Sequence, residues 1–257
     1  GVTTYYLSSN KGGDNMVIIN ADDFGMNASC SRAIAEAFKK GLVTDTTMMA
    51  TGDHFDEAVI LAKEQGFSDR IGIHFNLTEG VPLTEDICRL ADFVRDGRFC
   101  KGYDRNKPLD DREEQAIRTE LGAQVARLKN AGIGITHADS HHYLHNAPYL
   151  APIFVRVCKE HGIEKLRLQR NLGTDESSGI NAFYREQGFG TTEYFGRLRD
   201  IEKSDIPDNT EILVHPDFDR DGRLIDRRGM EGGYPVGVPL PDLKERYGVD
   251  LGSYKIL

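Results

Sequence analysis

Three short apolar runs in this chain each stop on a cluster of polar residues, and helical patterns lie between them. Val17-Ile18-Ile19 ends in Asn20-Ala21-Asp22-Asp23-Phe24-Gly25. Ile71-Gly72-Ile73 ends in His74-Phe75-Asn76-Leu77-Thr78. Ile133-Gly134-Ile135 opens into Thr136-His137-Ala138-Asp139-Ser140-His141-His142-Tyr143-Leu144-His145, which holds four of the eight histidines. Continuous short apolar runs read as parallel strands buried on both faces. Strands that alternate with helices imply a parallel sheet with right-handed crossovers. In closed sheets of that kind the residues that follow the strands gather on one face. The spacing therefore predicts that distant acidic and histidine residues converge.

The remaining elements fit the same order. Asn27 or Ser29 caps a helix through Lys40, with Gly41 as its stop. Val43–Met49 reads as a strand, and Asp53 as the cap of a helix buried along Ala58, Leu61 and Ala62. Residues 79–108 lack periodicity and read as a long excursion over the active face. Asp110–Lys129 is the clearest helix, with Glu113 and Glu114 favouring its start. A helix over Pro148–His161 and short strands at Lys165–Leu168 and Glu211–Val214 follow. The aromatic part of 171–210 reads as helix, 219–240 as loop, 242–247 as helix, and 253–257 as a last strand.

At 257 residues this pattern favours an α/β fold of the distorted TIM-like (β/α) barrel type over an open sheet. Residues 16–257 form one expected domain, and the polar, Gly-rich 1–15 reads as a disordered or appended lead-in. The net charge of -9 and the scattered Lys and Arg argue against a nucleic-acid partner. No window approaches the length of a membrane span, and no secretory pattern opens the chain. Cys30, Cys88, Cys100 and Cys158 are widely spaced, so a reducing, cytoplasmic location is the default.

Chemistry follows from the strand ends. A divalent ion with an open position is commonly held by three His or carboxylate ligands, and Asp23, His74 and His141 come from three different strand ends. Asp22 is then the candidate catalytic base. His215 is the candidate acid, because an unperturbed imidazole titrates near neutrality. Arg167 is placed to orient Asp22 or to meet a substrate oxygen, and Asp139 to accept the free ring N–H of a liganding histidine. Asn76, His142 and His145 remain as groups that support the ligands or face a substrate. Each segment also has a plainer reading. Asp22-Asp23 can cap a helix, His74 can be a hydrogen-bonded core histidine, and His215-Pro216 can be a turn. One carboxylate and two imidazoles suit Zn²⁺, Co²⁺ or Mn²⁺, whereas Mg²⁺ prefers more oxygens.

At these residues the sequence resembles the YdjC-like family, whose named member is a chitooligosaccharide deacetylase. The matching pieces are Asn20–Gly25, Gly41–Thr47, Ile71–Thr78, Thr136–His145 and Leu213–Pro216, in the family's order. The resemblance implies a distorted barrel related to polysaccharide deacetylases. It also implies removal of N-acetyl groups from N-acetylglucosamine units of short chitooligosaccharides, one divalent ion such as Zn²⁺ or Mg²⁺, and a homodimer. By position Asp23, His74 and His141 match the metal ligands, Asp22 the base, His215 the acid, and Arg167 a supporting basic residue. The chain departs from the family pattern across 219–240 and at Tyr143, both of which bear on substrate contacts. Three other readings stay open. One is a deacetylase of another N- or O-acetylated sugar. One is another metal-dependent barrel enzyme, such as a sugar isomerase or phosphoesterase. The last is a sugar-binding protein without turnover.

Overall fold

A computed structural model describes residues 16–174, 176, 178–201, 205–231 and 234–257; the expected lead-in at 1–15 lies outside them. The chain runs β1 (Met16–Phe24), α1 (Ala28–Lys39), β2 (Asp45–Met48), α2 (Phe55–Glu64) and β3 (Ile71–Phe75). The excursion that follows carries a small hairpin, β4 (Val94–Arg95) and β5 (Arg98–Phe99). Next come α3 (Asp111–Asn130), β6 (Ala138–Ser140), α4 (Ala151–Glu160), α5 (Ile180–Glu186), β7 (Tyr194–Arg197) and β8 (Thr210–Val214). Short strands close the chain: β9 (Pro216–Phe218), β10 (Leu224–Asp226), β11 (Met230–Glu231), β12 (Tyr234–Pro235) and β13 (Val238–Pro239), then α6 (Leu243–Tyr247) and β14 (Asp250–Leu251).

The main sheet is parallel throughout, in the order β6-β3-β2-β1-β8-β7, with β14 also beside β1. Buried apolar residues of β1, β2, β3 and the helices α1 to α4 form one core, as two-sided parallel strands require. The sheet curls but is not a closed eight-stranded barrel. The segment expected to be a strand at Lys165–Leu168 makes only isolated bridges, Ala138↔Leu166 and Lys165↔Gly190. Its continuation turns away, because the Gln169 amide donates to Asn181 Oδ1 at 2.7 Å instead of to a neighbouring strand.

Local chemistry explains the boundaries. The Asn27 side chain accepts from Cys30 N and caps α1. Asp110 and Glu113 cap α3 reciprocally, an arrangement that contributes about 1 kcal/mol. Two buried polar residues on α3 then pin the excursion. Glu120 accepts from Leu83 N and from Thr84 N and Oγ1. Gln124 exchanges hydrogen bonds with the backbone of Asn76.

Several sequence expectations need correction. α2 starts from His54 without a side-chain cap, so Asp53 is not one. Tyr194 and Phe195 lie on strand β7, not on a helix like Phe183 and Tyr184. Residues 219–240 are not plain loop, because β10 pairs antiparallel with β9 and β13. The last strand is β14, not 253–257, because Ser253 Oγ and Tyr254 N are taken by Asp45 Oδ1 at 2.8 and 3.1 Å.

Asp45 is fully buried, and burial raises its carboxyl to about 6. A folded-state pKa above the unfolded one gives stability that is complete below about pH 4 and lost as pH rises through about 6. Asp45→Asn keeps the shape and the acceptor for Ser253 and Tyr254. It is expected to be more stable than the parent at pH 7.5 by on the order of 2–3 kcal/mol, with the gain vanishing near pH 4. Urea unfolding at both pH values checks this; a difference independent of pH would rule it out.

Candidate active site

Asp22 and Asp23 are consecutive, and in a regular strand they would face opposite sides of the sheet. They lie inside β1, not in a loop after it. Between Ala21↔Thr46 and Phe24↔Met48 the register shifts, so β1 carries one residue more than β2. Asp23 supplies that bulge with φ 71°, a left-handed conformation that Asp tolerates better than most residues. Both carboxylates thereby reach the same cluster.

His74 is on β3, and its Nδ1–H donates to Asp139 Oδ1 on the neighbouring β6 at 2.6 Å. In the neutral ring that bond leaves Nε2 bare. Burial pulls the imidazole down, but Asp139 and the neighbouring carboxylates outweigh it and raise it to about 10, so a cation at the site would take the place of the second ring proton. His74 Nε2 stands 3.0 Å from Asp23 Oδ1 and 3.3 Å from His141 Nδ1. His141 Nδ1 is 2.9 Å from the same Asp23 oxygen. The other nitrogen of His141, Nε2, donates to Glu79 Oε2 at 2.7 Å. Three bare donor atoms thus converge, and Asp23 Oδ1 is buried without a hydrogen-bond partner. Like-charged lone pairs at this distance repel each other and suit a cation between them. These residues fit a divalent metal of the expected donor type.

Two other groupings come as close, but their atoms are committed. In Asp22, His74 and Asp139, the carboxylates are held by Arg167 and by His74 Nδ1. In Glu79, His141 and His142, the His142 Nδ1 is engaged by Thr78 Oγ1 at 2.7 Å.

Arg167 is 0% exposed. Its Nη1 and Nη2 donate to the two oxygens of Asp22 at 2.8 and 2.7 Å. It also meets Asp139 at 2.9 Å and Glu211 at 2.8 Å. Burial by itself would raise the Asp22 carboxyl, but the guanidinium outweighs it and holds the group well below the usual carboxylate range. Asn20 Nδ2 donates to Asp22 Oδ1 at 2.9 Å. Glu211 is raised to about 7 by burial against the pull of Arg167, and it accepts the Tyr254 hydroxyl. Arg227 donates to Asp23 Oδ2. Four buried carboxylates, Asp22, Asp23, Asp139 and Glu211, face two guanidinium groups. The His74 imidazole, raised to about 10 by these carboxylates, adds to the compensating charge, and a divalent ion would take over that part.

His215 follows β8 and is 17% exposed. Its Nε2 lies 4.0 Å from Asp22 Oδ2 and 3.9 Å from Asp23 Oδ2. Burial pushes its imidazole down to about 4 against the pull of Asp23 and Asp22, so it is neutral at pH 7.

Asp22, His74, His141 and His215 open onto a cleft of about 1260 Å³. Its walls include Tyr143, Leu240, Arg197 and Arg228. His142 lines the rim. His145 does not reach the cleft. It is buried, and its Nε2–H donates to the Arg167 carbonyl at 3.0 Å while Nδ1 pairs with Ser140 Oγ. Asn76 is also buried. It donates from Nδ2 to the Glu79 carbonyl and accepts from Glu79 N. The excursion does cover the His-rich segment, with Arg105 donating to the carbonyls of His142 and Tyr143. Among the described residues, sequence reasoning missed Glu79, Glu211 and Arg227. Glu211 alone left a trace, as a charge opening the apolar run before His215.

A family model described as YdjC-like protein matches residues 16–233. A carbohydrate deacetylase from Brevibacillus brevis is 34% identical over 210 residues, covering 79% of this chain and 81% of that protein. A carbohydrate deacetylase from Listeria welshimeri is 32% identical over 207 residues, with the same coverages. A solved structure from Enterococcus faecalis, assigned provisionally to cellobiose-phosphate cleavage, superposes with a TM-score of 0.71. It covers 95% of this chain and 98% of that one at 23% identity, a likeness of fold.

Proposed function

The chain belongs to the YdjC-like protein family, and from that premise we propose that it is a metal-dependent carbohydrate deacetylase. The substrate class we assign is the N-acetylglucosamine unit of short chitooligosaccharides, such as diacetylchitobiose. The observation that carries this reading is the convergence of three bare donors, Asp23 Oδ1, His74 Nε2 and His141 Nδ1, beside an ionised Asp22 in an open cleft. The names of the Brevibacillus and Listeria relatives support the reaction class.

In this reading those three residues hold one divalent ion. When bound, the ion supplies Lewis-acid polarisation of the acetamide carbonyl and acidifies water. Asp22 accepts the proton of the attacking water as the new C–O bond forms. Arg167 keeps Asp22 ionised and fixes its direction. The proton must reach the sugar nitrogen as the C–N bond breaks. His215, neutral and 4.0 Å from Asp22 Oδ2, is placed to carry it across. Acetate and the free amine leave.

Acetate release from N,N′-diacetylchitobiose by metal-stripped protein, with Zn²⁺, Co²⁺, Mn²⁺ or Mg²⁺ added back, tests the reading. Release that depends on the metal is expected. No release with any ion bound would move the substrate elsewhere. His215→Ala is expected to lower kcat on the amide about 10²–10⁴-fold. On an activated acetyl ester, whose leaving group needs no proton, the loss should be far smaller. Equal losses on both substrates would remove His215 from proton delivery.

A further inference from the structure

Each of the two imidazoles at the metal centre has its second ring nitrogen occupied, but by different kinds of partner. His74 is set by Asp139, a fully buried residue on the adjacent strand. His141 is set by Glu79, whose side chain is 54% exposed and lies beyond the end of β3. We propose that Glu79 is a positioning residue for His141. By accepting the Nε2 proton it fixes the tautomer that leaves Nδ1 bare toward Asp23 and His74. The inference rests on the reading that these three residues hold a metal.

The support is geometric. A carboxylate at 2.7 Å from Nε2 can only accept, so the ring proton is committed to that side. Were the proton on Nδ1, it would point into the cluster and block it. The Glu79 backbone is held firmly although its side chain meets solvent. Asn76 grips it from both sides, through Nδ2 to the Glu79 carbonyl and Oδ1 from Glu79 N. Asn76 is itself clamped by Gln124 and Thr51. The following residues are tied to Glu120. Gly80, at φ 79°, makes the turn, and its carbonyl accepts from Phe99 N. The carboxylate therefore arrives at His141 from a fixed base. Carboxylate partners of this type tune ligand basicity, and losing one typically costs about 10–100-fold in metal affinity.

The test is metal binding, not turnover. Zn²⁺ affinity of the metal-stripped full chain is measured by competition with a chromophoric chelator for the parent, Glu79→Ala and Glu79→Gln, together with the metal-free melting temperature. Glu79→Ala is expected to raise Kd about 10–100-fold with an unchanged metal-free melting temperature and one ion per chain. Glu79→Gln keeps an acceptor carbonyl on the same base and should restore most of the affinity. An unchanged Kd in Glu79→Ala overturns the inference. So does a Gln variant as weak as the Ala variant, or a second ion per parent chain that disappears in Glu79→Ala, because either makes Glu79 a ligand. If the parent binds Zn²⁺ and shows the expected order but releases no acetate, only the substrate assignment fails. If the parent binds no divalent ion, the metal reading and this inference fall together.

Discussion

The Arg167→Ala chain is expected to lose about 3–5 kcal/mol of folding stability together with all measurable turnover. The guanidinium is buried among Asp22, Asp139 and Glu211, each within 2.9 Å, and lies over the Phe195 ring at 4.7 Å. Removing it leaves three carboxylates out of water without their shared counter-charge, each keeping only hydrogen-bond donors such as Asn20, His74 and Tyr254. They can relieve this only by protonating, and Asp22 protonated is no longer a base. A loss of that size is a large share of a domain's typical margin, so the variant should unfold at markedly lower urea. Arg167→Lys restores a charge but not the fork that grips both Asp22 oxygens. It should recover part of the stability and little of the rate. An alanine variant within about 1 kcal/mol of the parent, well under the loss expected for a broken buried pair, would mean that Arg167 is not the compensating charge.

Asp22→Asn separates chemistry from metal binding. Asp22 holds none of the three converging donors, so the metal content per chain after desalting should stay that of the parent. The rate should fall about 10²–10⁴-fold, the usual worth of a general base. The asparagine also turns an N–H₂ toward Arg167, so its unfolding curve belongs beside the kinetics. His74→Ala and His141→Ala are expected to fail the other way, losing bound metal first and activity with it. A near-parental rate in Asp22→Asn would end the base assignment, and parental metal content in both histidine variants would end the ligand assignment.

The candidate site was readable in the sequence to the extent that strand ends were. Asp22, Asp23, His74, Asp139, His141, Arg167 and His215 are brought together from five segments, because parallel strands deliver their ends to one face. Detail within a strand was not readable. The bulge that lets Asp22 and Asp23 act side by side depends on φ at one residue, which no periodicity reports. His145 was read as supporting the ligands or facing a substrate, but the consecutive left-handed residues His142 and Tyr143 turn the chain and send it under Arg167, away from any substrate. Glu79, Glu211 and Arg227 matter through partners more than sixty, forty and two hundred residues away in the chain, and spacing carries no such information. The parallel sheet was legible from alternation, and its curl from alternation together with chain length. Its incomplete ring was not, because that depends on where single amides such as Gln169 find acceptors.

The place of β1 at the middle of the sheet has a consequence for how the molecule is made. On one side it pairs with β2, its near neighbour in the chain; on the other, Ile18 lies opposite Glu211 of β8. A nascent chain can zip β1, β2 and β3 together early, since their contacts are comparatively local. The far edge of β1 must then wait, unpaired, until β8 has been made. Long-range parallel pairing of this kind is intrinsically slow and exposes strand edges to other chains. Glu211 meets the guanidinium that Asp22 and Asp139 share only when the late strand docks. Completion of the charge network and closure of that vulnerable edge thus coincide, and a chain stalled before them would lack His215 and be prone to aggregate.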